Sequence, residues 1–207
     1  IGLSIHRPRI HPSPGKNDGN PIYDWNHQGL QLQAKFIKEV QDAYDPIVLA
    51  TPWTPPDWMK SNNDNAGGSL LEVHYDDYAA YLVEHYIGMK REFGIDIDIV
   101  SLQNESDEAK SWDSCIWSAD NFIQFINNSM IPEMNAKGVD IPLMLNEETA
   151  WDDATINAVL EDSGARSALD YAAAHLYKRT YDDPKPFQTA ADQNLKVWMT
   201  EYYLDDS

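Results

Sequence analysis

Apolar positions along the chain follow two spacings, and segments of the two kinds alternate. Short runs rich in aliphatic and β-branched residues, typical of buried strands, recur six times. Between them, five longer segments place apolar residues three and four positions apart, which lines one face of a helix. The predicted strands span 3–10, 47–50, 97–105, 141–147, 169–175 and 195–201. The predicted helices span 27–44, 75–93, 119–136, 152–162 and 186–194.

This alternation predicts a single α/β domain over residues 1–207. Strands separated by single helices form βαβ units with a parallel sheet. A doubly wound sheet would normally carry a glycine-rich phosphate turn after an early strand, and the sequence has none. Polar and aromatic side chains end several strands instead, which is typical of (β/α)8 TIM barrels. Since six strands do not close such a barrel, we expect an incomplete barrel of about six βα units, without its first and last units.

Three predicted strands end in a carboxylate, at Glu105, Glu147 and Glu201, and we interpret Glu105 and Glu201 as a pair. A core strand gains no stability from such an ending, because an unpaired buried carboxylate is costly. Two carboxylates on facing strand ends can cleave a glycosidic bond, with retention when they lie about 5 Å apart and with inversion when they lie farther apart. Asn104, next to Glu105, could bind a sugar 2-hydroxyl. The pattern therefore indicates a carboxylate pair that acts on sugars.

Composition narrows the class of partner. The formal net charge is −19, which argues against nucleic acid and anionic membranes as partners. Seven Trp and eleven Tyr suit stacking on sugar rings, although any one ring could instead fill the core. The single cysteine, Cys115, cannot form an intrachain disulfide, and no metal or phosphate-loop motif is present. We expect neither a cofactor nor a bound metal.

Several segments resemble, in family order, those of glycoside hydrolase family 30 and its glucuronoxylanase branch. Residues 51–60 and 67–70 are similar to its W-S-P-P-x-W-M-K and G-G-S-L segments. Residues 101–105 are similar to its S-x-Q-N-E-P segment, and residues 114–117 resemble its S-C-x-W turn. Residues 174–177 and 198–203 are similar to its G-H-x-Y and W-M-T-E segments.

The resemblance implies a retaining enzyme on a (β/α)8 barrel that is fused to a β-sandwich side domain. It makes Glu105 the acid/base and Glu201 the nucleophile, and it gives Arg7 the task of orienting Glu201. From the residues alone, Arg7 could merely balance nearby acids. The side chains that the resemblance places around the sugar are Trp53, Asn104, Trp112, His175, Tyr177 and Tyr203.

Three departures from the family pattern stand out. Ser106 replaces the proline after the acid/base, which we expect to loosen the turn that holds Glu105. Asn146 replaces the proline of a P-E-S segment and precedes Glu147. The first and eighth barrel strands and the side domain have no counterpart, and the arginine that reads a glucuronic acid branch would fall beyond Ser207.

The sequence thus predicts a secreted, retaining endo-β-xylanase of glucuronoxylanase type, with xylan as its polysaccharide partner and without a cofactor. β-1,6-Glucan and β-1,6-galactan remain alternative substrates on the same fold. The alternative from another class is an inactive, truncated fragment that binds glycans. We also expect self-association, because an open barrel exposes two sheet edges.

Overall fold

The structure is a computed structural model that describes residues 4–17, 21–177 and 185–203. Its strands are β1 (Ile5–His6), β2 (Arg9–Ile10), β3 (Gly15–Asn17), β4 (Pro21–Tyr23), β5 (Ile47–Pro52), β6 (Ile99–Ser101), β7 (Leu143–Glu148), β8 (Leu169–His175) and β9 (Lys196–Glu201). Its α-helices are α1 (Gln28–Tyr44), α2 (Tyr75–Phe93), α3 (Ala119–Phe125), α4 (Ile131–Lys137), α5 (Ala154–Leu160), α6 (Ser163–Ser167) and α7 (Gln188–Asp192). None of these helices is both long and apolar enough to cross a membrane.

One parallel sheet carries the fold. Its strand order is β1-β5-β6-β7-β8-β9, with β2 also paired to β5. Every pairing in this sheet is parallel, and each strand lies beside the next one of the predicted series. This is the sequential order of a TIM barrel. The predicted incomplete (β/α) barrel is confirmed, with β1 and β9 as the two edge strands of the described sheet.

The first predicted strand is divided in two around Pro8, which has no N–H to give to a ladder. Its carbonyl still accepts a hydrogen bond from the Thr51 N–H at 3.0 Å. The division leaves Arg7 between β1 and β2. The prediction missed the antiparallel pair β3–β4, because these strands have three residues each and lie among turn-forming residues.

Two predicted helices are also divided. The segment 119–136 forms α3, a π-helical turn at Ile126–Met130, and α4. Pro132 explains the wider turn, because proline lacks an N–H and its ring would clash with a carbonyl in a regular α-helix. The segment 152–162 forms α5, and the prediction missed α6, the short helix that follows it.

The central strands β5, β6 and β7 are buried on both faces of the sheet. On β5, Val48 and Ala50 pack with the helices, whereas Leu49 points to the other face. There Leu49 joins Ile99, Met144 and Ala173 in a separate apolar cluster. Because successive side chains of a strand alternate in direction, this second cluster fills the inside of the curved sheet. Polar groups follow it towards the carboxyl ends of the strands.

Candidate active site

Polar side chains from five strand ends meet at the carboxyl edge of the sheet. Glu105 follows β6, Glu147 lies in β7, and His175 and Glu201 end β8 and β9. Arg7 comes from the break between β1 and β2. These are the ends at which TIM barrels carry their chemistry.

Arg7 connects three of these strand ends. Its Nε donates to Glu147 Oε1 at 3.0 Å, its Nη1 to Glu201 Oε2 at 2.6 Å, and its Nη2 to Asn104 Oδ1 at 2.7 Å. The guanidinium carbon lies 4.7 Å from the ring centroid of Trp53, a cation–π contact. Burial opposes the charge of Arg7, but Glu147 and Glu201 outweigh it and raise the pKa of Arg7. The side chain therefore acts as a fixed cation with a planar fork of donors.

Glu147 is the fully buried partner of Arg7. Burial alone would raise the pKa of Glu147, but the charge of Arg7 outweighs burial and lowers it. A bulge in β7 aims this side chain, since the register with β8 shifts between Leu145 and Glu148. Asn146 in the bulge has φ +72°, which the locked ring of a proline cannot adopt. A proline at position 146 would therefore require a different backbone conformation from the one that Asn146 adopts.

Glu201 is held at both carboxylate oxygens. Oε2 accepts from Arg7, and Oε1 accepts from the Tyr177 hydroxyl at 2.7 Å. Burial, together with the hydrogen bond to Glu201, raises the pKa of Tyr177, so the phenol keeps its proton and remains a donor. These two donors fix the orientation of the Glu201 carboxylate.

Glu105 has different neighbours. Its Oε1 lies 3.3 Å from His175 Nδ1, and its Oε2 lies 3.8 Å from Lys110 Nζ. Its backbone has φ +46°, a left-handed conformation that a following proline would disfavour and that Ser106 permits. The Glu105 N–H donates to the Glu147 carbonyl at 2.8 Å, and the Ser106 carbonyl accepts from the Trp117 N–H at 3.1 Å. Backbone hydrogen bonds therefore fix the turn on both sides of Glu105.

The two carboxylates lie close to one another. A carboxylate oxygen of Glu105, one of Glu201 and a ring nitrogen of His175 all lie within 4.8 Å of one another. These three groups could hold a metal ion. However, Arg7 and Tyr177 already occupy both oxygens of Glu201, and the guanidinium charge disfavours a second cation there. The spacing corresponds better to the separation of about 5 Å that characterises retaining glycosidases.

Aromatic rings border this centre. Tyr203 is 65% exposed, with its ring centroid 5.1 Å from that of Tyr177. Trp112 is 57% exposed, and Lys110 Nζ lies 5.7 Å from its ring centroid. Exposed rings beside a carboxylate pair offer apolar faces on which a sugar can stack.

The structure thus brings the nine predicted site residues into one region. Six of them belong to a hydrogen-bonded centre: Arg7, Asn104, Glu105, His175, Tyr177 and Glu201. The rings of Trp53, Trp112 and Tyr203 adjoin it. Sequence reasoning missed the role of Glu147 as the partner of Arg7, although its place at a strand end was a usable signal. It also missed Lys110, which lies in an irregular loop where no pattern marks it.

Comparisons with known proteins agree with the resemblance found in the sequence. The sequence model of the family described as "Glycosyl hydrolase family 30 TIM-barrel domain" matches residues 21–200. Glucuronoxylanase XynC of Bacillus subtilis is 27% identical over 181 residues, which cover 83% of this chain and 41% of that protein. An endo-1,6-beta-D-glucanase of Neurospora crassa is 25% identical over 140 residues, which cover 65% of this chain and 28% of that protein.

Solved structures agree in fold. The family 30 subfamily 8 xylanase Xyn30A of Clostridium acetobutylicum superposes with a TM-score of 0.82 at 32% identity, over 98% of this chain and 49% of that one. The catalytic domain of xylanase C of Talaromyces cellulolyticus gives a TM-score of 0.83 at 27% identity, over 99% of this chain and 50% of that one. The chain therefore spans less than half of the curated relatives named above and about half of these solved chains.

Proposed function

The chain belongs to glycosyl hydrolase family 30, and we propose that it is a retaining hydrolase of β-1,4-xylosidic bonds in glucuronoxylan. The observation that carries this proposal is the carboxylate pair Glu105 and Glu201, with oxygens within 4.8 Å and with different partners. The xylanases among its relatives support xylan as the substrate. Because xylan is a polymer outside cells, we propose that the protein acts there, as a secreted enzyme.

In the first chemical step, Glu201 attacks the anomeric carbon as a carboxylate, while Glu105 donates a proton to the departing glycosidic oxygen. Arg7 and Tyr177 orient Glu201 through hydrogen bonds to its two carboxylate oxygens. Asn104, held by Arg7 through its Oδ1, presents its amide near the 2-hydroxyl of the sugar. The product is a covalent glycosyl ester of Glu201 and a free sugar end.

In the second step, water attacks the same anomeric carbon and releases Glu201. Glu105, now a carboxylate, accepts the proton of that water. His175 contacts Glu105 during both steps, since its Nδ1 faces Oε1. Two inversions at one carbon give net retention.

β-1,6-Glucan is the second candidate substrate, because the Neurospora crassa relative is named an endo-1,6-beta-D-glucanase. The catalytic pair would serve either linkage, as it would serve β-1,6-galactan. The surrounding rings decide which polysaccharide fits.

Self-association of the chain is a further part of this proposal. The edge strands β1 and β9 expose Ile5 and Met199, and a cavity of about 260 Å³ lies between these strands. Unpaired strand edges with apolar side chains favour pairing with a second copy. Sedimentation over a range of concentrations tests this: we expect association to rise with concentration, and a monomer at every concentration would contradict it.

Digestion of glucuronoxylan tests the proposed activity. The purified chain, Glu201→Gln and Glu105→Gln are each incubated with glucuronoxylan, unbranched xylan and β-1,6-glucan, and the products are read by mass spectrometry. We expect acidic xylo-oligosaccharides from the parent chain and none from Glu201→Gln. Products from β-1,6-glucan alone would replace the substrate, and no product from a chain shown by circular dichroism to be folded would overturn the activity.

A further inference from the structure

Lys110 lies beside Glu105 in the loop between β6 and α3. Its backbone N–H donates to Ser114 Oγ at 3.0 Å, and Ser114 Oγ in turn accepts from the Gly67 N–H at 2.9 Å. The base of the side chain is thereby tied to a second loop. The side chain is 19% exposed, and its ammonium forms one ion pair with Glu108 and lies 3.8 Å from Glu105 Oε2.

The charged and titratable groups around Glu105 come from several elements. His175 on β8 faces Oε1 at 3.3 Å, and an oxygen of Glu201 on β9 lies within 4.8 Å. Tyr177, just after β8, keeps its proton and donates it towards Glu201. In the part of the chain that the structure describes, Lys110 is the one Lys or Arg side chain in an ion pair with Glu105.

A cation at this distance stabilises the ionised form of a carboxyl group over the protonated form. The two steps of a retaining mechanism use Glu105 differently, since the first needs its proton and the second needs its charge. By favouring the charged form of Glu105, Lys110 therefore opposes the first step at high pH. It assists the second step for the same reason. Glu108 shares the ammonium, which makes the influence of Lys110 on Glu105 partial.

We propose that Lys110 is a positioning residue that acts through Glu105: its ammonium stabilises the Glu105 carboxylate and sets the alkaline limit of the reaction. The catalytic consequence rests on the proposed function, whereas the influence on the ionisation of Glu105 does not. An experiment can therefore contradict the catalytic consequence without contradicting the influence of Lys110 on Glu105, and the reverse.

Carbon-13 NMR titration of the glutamate carboxyl carbons tests the ionisation directly, with Glu105→Gln to assign the signal. In Lys110→Met we expect the Glu105 titration midpoint to move up by about half to one pH unit, less than a full unshared ion pair would give. Lys110→Arg should keep the parent midpoint. Glu108→Gln should move it down, because the ammonium is then no longer shared.

Lys35→Met is the matched control, because it removes the same charge from an exposed position of α1. Lys110→Gln serves if Lys110→Met does not fold. Coincident Glu105 titrations in the parent chain and in either folded Lys110 variant would overturn the proposal. This titration needs no catalytic turnover. An inactive chain would therefore contradict the proposed function but not the effect of Lys110 on Glu105.

The pH profile of kcat/KM tests the catalytic part. With an aryl xylobioside whose leaving group needs protonation, we expect the alkaline limb of Lys110→Met to move to higher pH, and that of Lys110→Arg to stay. With a dinitrophenyl leaving group, which departs without a proton, the parent and Lys110→Met should have the same profile. An unmoved limb with the first substrate would refute the role of Lys110 in setting the alkaline limit.

Discussion

Nη1 of Arg7 lies 2.6 Å from Oε2 of Glu201, although 194 residues separate the two in the sequence. The pair connects the edges of the described sheet, since Arg7 follows β1 and Glu201 ends β9. The same guanidinium also bonds Glu147 and Asn104. One planar group thus orients the proposed nucleophile and the amide next to the proposed acid/base.

Arg7→Lys should lower kcat/KM by about 100-fold, because a single ammonium cannot hold three strand ends at once and small misplacements of catalytic groups are costly. Kinetics on xylan, with circular dichroism to show folding, measure this effect. Arg91→Lys is the control, since Arg91 makes ion pairs with Glu84 and Glu92 on the surface of α2. Equal activity of the two variants would contradict the role of Arg7.

Tyr177→Phe should lower kcat by about ten-fold or more with little change in KM, because one hydrogen bond to the charged oxygen of Glu201 is lost. Steady-state kinetics separate the two constants. Tyr171→Phe is the control, since the Tyr171 hydroxyl accepts a hydrogen bond from Lys196 Nζ at 3.2 Å, at an exposed position of β9. A change in KM alone would mean that Tyr177 contacts substrate and does not orient Glu201.

Lys60→Met should lower the free energy of unfolding by about 2 kcal/mol, because two hydrogen bonds are lost and the Ser114 carbonyl loses its donor, whereas the Asn65 carbonyl still accepts from the Ser114 N–H at 3.0 Å. Lys60 is buried, and its Nζ donates to the carbonyls of Asn65 at 2.8 Å and Ser114 at 2.7 Å. Urea unfolding measures the loss. Lys35→Met, on the exposed face of α1, should change stability by less than about 0.5 kcal/mol, and a similar effect of both substitutions would refute this reasoning.

Glu148→Gln should change how stability depends on pH. Burial, with the charges of Asp107 and Asp152 acting in the same direction, raises the pKa of Glu148 to about 6. The fold therefore prefers the protonated carboxyl, and this contribution is complete below about pH 4.5 and is lost as the pH rises through about 6.

At pH 7 the Glu148→Gln protein should consequently gain about 1 kcal/mol relative to its difference from the parent at pH 4. Urea unfolding at both pH values measures the gain. Glu39→Gln on α1 is the control at an exposed position. A difference between Glu148→Gln and the parent that is the same at both pH values would contradict the prediction.

Much of the fold could be predicted because apolar periodicity reports burial directly. β5, β7, β8 and β9 lie where their aliphatic runs stand, and α1 and α2 are within one residue of the predicted bounds. Pro8 and Pro132 mark the places where backbone geometry divided a predicted element. The short hairpin β3–β4 escaped because three-residue strands hold too few positions to show a period.

The candidate site could be predicted only where a functional group ends a strand. Glu105, His175 and Glu201 do so, and the parallel topology brings them together. Lys110 reaches the same centre from an irregular loop, whose path depends on its bonds to Ser114 and on the loop containing Gly67. Such tertiary contacts leave no periodic trace in the sequence. The direction of the Glu147 side chain likewise depends on a bulge in β7, which the pattern of apolar residues does not reveal.

The measurement that tests the central claim most directly is covalent trapping of the nucleophile. The chain is treated with a xylobiosyl fluoride that carries fluorine next to the anomeric carbon, which slows breakdown of the glycosyl ester, and its peptides are read by mass spectrometry. We predict one added fluoroxylobiosyl group, on the peptide that contains Glu201, and none in Glu201→Gln. A label on another residue, or hydrolysis of xylan by a chain that takes no label, would contradict the account.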